Sequence, residues 1–93
     1  MSLPRNEQID EFFKSVILLE SIDECYKYFE DICTVKEVQT ISQRLAVAKA
    51  LAQGDNYQQA SEKTGASSAT VGRVKRCLDY GAGGYEMMLN RLK

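Results

Sequence analysis

Apolar residues recur at helical spacing along the whole chain, and no segment shows the strict alternation that is typical of a half-buried strand. Pro4 or Asn6 marks the start of a first predicted helix, whose apolar stripe is built from Ile9, Phe12, Phe13, Val16, Ile17 and Leu19. Ser21 can cap a second helix with a similar face, formed by Ile22, Tyr26, Phe29 and Ile32. The pattern therefore predicts an all-α protein.

A capping box marks the start of a long third helix. Thr34 and Glu37 have the spacing at which each side chain satisfies a free backbone amide at a helix start. Gly54 can supply the left-handed residue that ends this helix, which is predicted over residues 34–54. The two helices before it, in residues 1–33, carry apolar faces too wide for one short chain to cover. We therefore assign residues 1–33 to dimerisation.

Shorter helices follow the central one. A fourth helix is predicted to end at Gly65, and Ser67 or Ser68 can cap a fifth. Together these two helices form a predicted helix-turn-helix over residues 57–80, and after a glycine-rich break a last helix is predicted over residues 85–93. A chain of 93 residues can build one modest core, so residues 1–93 are predicted to form a single domain.

The spacing within residues 57–78 is that of a helix-turn-helix. Two steeply crossing helices need small or branched side chains where they touch, and the inner positions are Ala60, Ser61, Val71 and Val74. Gly65 lies where the turn takes a positive φ, which glycine adopts without a steric penalty. The opposite face of the second helix is then free to meet DNA.

That free face has the residue types that reading a major groove requires. Short residues let the start of the helix approach base edges and thymine methyl groups, and they are Ser67, Ser68, Ala69, Thr70 and Gly72. Polar and cationic residues suited to phosphates flank them, namely Gln58, Arg73, Lys75 and Arg76. We predict that this surface binds double-stranded DNA.

Charge is distributed unevenly along the chain, although the net charge is only −1. Residues 1–34 carry three basic and eight acidic side chains, whereas residues 35–93 carry nine basic and five acidic ones. The electropositive surface is therefore expected in the second half, where the helix-turn-helix lies. A helical hairpin with ordinary solvated charges is the plainer interpretation of the same pattern.

About half of the chain, from Thr34 to Leu78, resembles the Trp repressor family, and more closely its YerC/YecD branch. The resemblance is carried by Thr34-Val35-Lys36-Glu37, Arg44, Leu51-Ala52-Gln53-Gly54 and the segment GASSATVGR, which runs from Gly65 to Arg73. It implies a six-helix fold, an intertwined homodimer whose first helices wrap around the partner, and operator binding through the helix after Gly65. The function that it implies is transcriptional regulation, as a repressor.

The same resemblance suggests an effector site. In that family a threonine and two arginines contact tryptophan, and the resemblance places these roles on Thr34, Arg44 and Arg73. Val74 stands where the tryptophan-binding members have glycine, and Cys77 stands where they have serine. A β-branched side chain at position 74 is expected to fill the slot that the indole needs. We therefore predict no cofactor and do not expect tryptophan as co-repressor, although another effector stays open.

Other classes of function have less support. The chain has no histidine for acid–base work, so we predict that it is not an enzyme. Its three cysteines, Cys25, Cys33 and Cys77, match no zinc pattern and are expected to be reduced, without a bound metal. No apolar run is long enough for a membrane span and the first residues lack the pattern of a signal peptide, so a cytoplasmic location is expected.

The main alternative is a protein-interaction module that keeps the helix-turn-helix shape without binding an operator. Apolar residues near the end of the chain would then hold a partner protein, and they are Tyr80, Tyr85, Met87 and Met88. DNA binding that depends on the cations of the fifth helix distinguishes the first hypothesis from this one.

Overall fold

The computed structural model describes residues 2–93, and these form six helices and no strand. The helices are α1 (Glu7–Ile17), α2 (Ile22–Ile32), α3 (Val35–Ala52), α4 (Tyr57–Thr64), α5 (Ser68–Tyr80) and α6 (Gly84–Arg91). The prediction of an all-α protein is confirmed. Within residues 2–93, none of the helices combines the length and the apolar character needed to cross a membrane.

Side chains cap the helices at the residues that the sequence singled out. Asn6 accepts a hydrogen bond of 2.9 Å from the Ile9 amide, and Ser21 accepts one of 3.1 Å from the Glu24 amide. Ser67 rather than Ser68 caps α5, because its hydroxyl accepts the Thr70 amide at 3.2 Å. These caps satisfy amides that have no partner within the helix, which is why the local sequence determines where each helix begins.

The predicted capping box opens α3 and affects an ionisable group. The Thr34 amide donates to Glu37 Oε1 at 2.8 Å, and the Glu37 amide donates to Thr34 Oγ1 at 3.1 Å. The backbone hydrogen bond from Thr34, and secondly a side-chain hydrogen bond of Thr34, hold the pKa of the exposed Glu37 carboxyl below its ordinary value.

This capping box gives a testable pH dependence. A carboxyl whose pKa is lowered by folding stabilises the fold above its unfolded-state pKa, and this contribution disappears as pH falls through the folded pKa. Thr34→Ala removes the side-chain bond and keeps the backbone one, so the pKa of Glu37 is expected to rise part of the way toward its ordinary value. An NMR titration of the Glu37 side chain measures this, and an unchanged pKa would show that the hydroxyl has no part in it.

The chain divides into two compact units, the first ending at Val38 and the second comprising Gln39–Lys93. The boundary falls within α3. The first unit contains α1 and α2, whose rings form a cluster of four, Phe12, Phe13, Tyr28 and Phe29, with centroids 5.7–6.5 Å apart. Ser15 and Tyr28 share a hydrogen bond of 2.7 Å. Neither α1 nor α2 contains a buried residue, so their apolar faces are at least partly exposed to solvent in the single chain.

The second unit has a small buried core. It consists of Val47, Ala48, Ala50, Ala60, Ala66, Val71 and Val74, with Leu51, Leu78, Tyr85 and Leu89 packed against it. Residues from α3, α4 and α5 thus meet through small side chains, which lets the helices approach closely. The core positions α5 with one face inward and the other outward. That residues 1–93 form a single domain stays a prediction.

Candidate nucleic-acid interface

The turn between α4 and α5 is fixed by hydrogen bonds that the local sequence provides. Gly65 ends α4 with φ 75°, and its amide donates to the Ser61 carbonyl at 2.8 Å. The Ser61 hydroxyl donates to the Ala66 carbonyl at 2.6 Å, and the Thr64 hydroxyl donates to the Ala60 carbonyl at 2.7 Å. Ser61, predicted only as a small residue at the crossing, therefore also closes the turn.

The long helix also holds the turn, through a contact that the sequence pattern did not indicate. Gln43 on α3 donates through Nε2 to the Thr64 carbonyl at 3.3 Å. Both residues are half-buried. Because the residues are 21 positions apart, only the packing of α3 against the helix-turn-helix brings them together.

Gly65 provides a test of the turn. A Cβ at this position would lie 3.9 Å from Gln43 Nε2, so there is space for it, but φ +75° is strained for any residue with a side chain. Gly65→Ala is therefore expected to lower the free energy of unfolding by about 1–2 kcal/mol. Thermal denaturation followed by circular dichroism measures the loss, and a stability equal to that of the unaltered chain would contradict the left-handed turn.

The inner and outer faces of α5 differ sharply in burial. Val71 and Val74 are buried against Ala60 and Ala66. Ser67, Ser68 and Ala69, at the start of the helix, are exposed.

Two of the residues predicted to face base edges are less exposed to solvent than the others. Thr70 is half-buried, and its hydroxyl accepts a hydrogen bond of 3.1 Å from Ser67. Gly72 is half-buried too, because the ring of Tyr57 on α4 lies beside it. Within residues 2–93, the Ser68 side chain makes no hydrogen bond. Ser68 and Ala69 are therefore the exposed residues at the start of α5 whose side chains are not engaged in a hydrogen bond within the described chain, whereas Ser67 is bonded to Thr70.

The residues predicted to lie near phosphates fall into two groups. Arg73 and Arg76 are exposed and form no ion pair with any residue of the described chain. Lys75 Nζ lies 3.3 Å from Asp79 Oδ1, and Gln58 Nε2 donates to Glu62 Oε1 at 3.2 Å. Both of these contacts are at the surface, where such pairs contribute at most about 1 kcal/mol, so a phosphate can replace them.

The residues predicted for an effector lie in both units. Thr34 belongs to the first unit, where its hydroxyl takes part in the capping box. Arg44 and Arg73 belong to the second, in which Arg44 is half-buried and Arg73 is exposed. Val74 is 2% exposed and is part of the core of that unit. The structure describes no cluster of three or more potential metal-ligating side chains within residues 2–93.

Tyr85 on α6 has an environment that the sequence did not reveal. The side chain is half-buried against the core of the second unit. Burial raises the pKa of its phenol, and so does an electrostatic effect of Cys77, while the positive charges of Arg44 and Arg73 oppose the rise. A phenol therefore lies within electrostatic range of both arginines. The sequence pattern had suggested this residue only as an apolar contact for a partner.

Comparisons with known proteins agree with this geometry. The model of the Trp repressor protein family matches residues 7–93. The uncharacterized protein YerC of Bacillus subtilis (strain 168) is 47% identical over 89 residues, covering 96% of this chain and 86% of YerC.

Two crystal structures have the same fold. One is of a Staphylococcus aureus protein provisionally described as a Trp repressor, with 46% identity and a TM-score of 0.92, covering 95% of this chain and 88% of that one. The other is of a TrpR-like protein from Eubacterium eligens ATCC 27750, with 42% identity and a TM-score of 0.92, covering 95% and 91%. The chain therefore belongs to the Trp repressor family, in the branch that includes YerC.

Proposed function

We propose that this chain represses transcription by binding operator DNA as a homodimer, with α5 of each protomer in a major groove. The observation that carries the proposal is the division of α5 into two faces. Val71 and Val74 anchor the helix in the core, while Ser68 and Ala69 project from its start into solvent. Short exposed side chains on a firmly packed helix are what close approach to base edges requires.

The charge of the second unit supports binding to DNA. Residues 39–93 carry eight basic and four acidic side chains, a net charge of +4. Arg73 and Arg76 follow the exposed start of α5 and have no carboxylate partner within the described chain. Cations placed beside short residues hold the phosphates on either side of the groove while the short residues face the bases.

The first unit supports dimerisation. Its helices α1 and α2 contain no buried residue, and Ile17 and Ile22 are 80% and 75% exposed. Apolar surface of this extent in a single chain indicates a contact with another protein surface. A second copy of the chain would cover these faces and would also double the contacts with DNA. This matters because a single helix-turn-helix with a modest positive charge binds DNA only weakly.

We further propose that operator binding does not need free tryptophan. Val74 lies in the core with a β-branched side chain, so the backbone of α5 at this point is covered. The Tyr85 phenol, an aromatic group of the protein itself, lies within electrostatic range of Arg44 and Arg73.

A mobility-shift titration against fragments of the source genome tests the proposed function. The expected result is binding to a subset of fragments that weakens steeply with added salt and is unchanged by tryptophan. An absence of salt-sensitive binding at low ionic strength would contradict DNA binding. A requirement for tryptophan would contradict only the proposal about the effector.

A protein-interaction module is the second candidate, and one observation favours it. Tyr80 is 86% exposed, and Met87 and Met88 on α6 are also exposed. Such flexible apolar side chains suit a protein partner. In that case replacing the cations of α5 by alanine would leave capture of the partner unchanged.

A further inference from the structure

A tyrosine that the motif did not single out lies beside the DNA-reading helix. Tyr57 is the first residue of α4, directly after the N-cap Asn56. A Cβ at Gly72 on α5 would lie 3.9 Å from Tyr57 Cε2. In a tyrosine ring this atom is bonded to the carbon that bears the hydroxyl, so the hydroxyl end of the ring is close to Gly72.

Gly72 is half-buried and lies between two exposed residues on one face of α5. It follows Ser68 by four residues and precedes Arg76 by four, and residues with this spacing lie on one face of a helix. The ring of Tyr57 therefore adjoins a row that begins with an accessible serine and ends with a free arginine. This row is the one assigned to DNA by the proposed function.

The Tyr57 side chain is free to make a contact there. It is 47% exposed, and its hydroxyl makes no hydrogen bond to another residue among those the structure describes. Burial of a hydrophobic ring does not explain its position, because nearly half of the side chain faces solvent. A phenol in this position offers one donor, which suits a phosphate oxygen.

We infer that Tyr57 is a further DNA-contacting residue, which donates its hydroxyl to a backbone phosphate next to the groove that α5 enters. The inference rests on the proposed function. The ring lies at the surface of α5 near Gly72, where even an added Cβ would be only in ordinary van der Waals contact with it. The contact fixes the register of the helix-turn-helix on the duplex without reading a base.

Tyr57→Phe tests the inference, since it keeps the ring and removes only the hydroxyl. The expected result is a loss of affinity of about tenfold for each protomer, equal on specific and unrelated duplexes, because each protomer loses a hydrogen bond to a charged phosphate. The slope of log affinity against log salt is expected to stay the same, because a neutral hydroxyl displaces no counterion. Tyr80→Phe is the matched control, since Tyr80 is an exposed tyrosine at the other end of α5, and it should bind as the unaltered chain does.

A second variant reports directly whether position 57 lies close to bound DNA. The chain has no tryptophan, so Tyr57→Trp introduces a single indole, whose emission is expected to change when duplex is added. Tyr80→Trp should show no such change. Unchanged emission at position 57, full affinity of Tyr57→Phe, or a loss confined to one sequence would each overturn the phosphate contact. If the unaltered chain binds no duplex at all, the proposed function itself fails.

Discussion

Replacing Arg73, Lys75 and Arg76 together by alanine is expected to reduce affinity for DNA at least a hundredfold near 0.1 M salt. The substitutions remove three cations from each protomer of a dimer, so up to six phosphate contacts are lost. The slope of log affinity against log salt is negative, and each lost contact makes it less steep by about 0.9. A mobility-shift series at four or five salt concentrations measures both quantities.

The chain offers a control of identical charge. Residues 1–34 contain three basic side chains, Arg5, Lys14 and Lys27, and all three are exposed. Their replacement by alanine changes the net charge by the same amount but leaves α5 intact, so affinity and salt slope are expected to change little. If the two triple variants lose affinity equally, overall charge rather than α5 drives binding. If the unaltered chain binds no DNA, and both it and the α5 variant capture the same protein partner, the interaction module is the correct function.

Replacing Ile17, Ile22 and Tyr26 by glutamine is expected to convert the proposed dimer into single chains and to remove operator binding. These side chains are largely exposed in the single chain, so the substitutions cost little within it. In a symmetric dimer each substitution acts twice, and burial of one such side chain contributes about 1.5–3 kcal/mol. Analytical ultracentrifugation measures the state of association, and circular dichroism checks that the helices persist.

The control for the triple glutamine variant is a pair of substitutions on the same two helices that leaves the net charge unchanged. Glu11→Gln with Lys27→Gln alters two exposed polar residues and leaves the net charge unchanged. This pair should sediment as the unaltered protein does. A triple glutamine variant that remains a dimer would show that the open faces of α1 and α2 do not form the interface.

Local signals in the sequence were sufficient to predict the helices. Asn6, Ser21 and Thr34 each satisfy a free amide within three residues of themselves, so their effect depends on no distant partner. Small deviations occur at the ends. The last helix begins at Gly84 rather than position 85, since Gly83 takes φ 87° before it.

Contacts between helices could not be predicted in the same way. The Gln43 bond to Thr64 and the position of Tyr57 beside Gly72 depend on how separate helices pack. The pairing of Lys75 with Asp79 could have been expected from their spacing of four residues. Because of this pair, Lys75 must leave a carboxylate before it can contact a phosphate. The sequence pattern identified which face of α5 is exposed, but not which residues of α4 adjoin it.

Selection from random duplexes shows whether two α5 helices bind DNA together, and it requires no knowledge of the operator. We expect enrichment of a short sequence that occurs twice, inverted, with centres about one DNA turn, or about 10 base pairs, apart. This spacing follows from two α5 helices presented by one symmetric dimer. Enrichment of a single half-site without its inverted copy, or no enrichment at all, would contradict it.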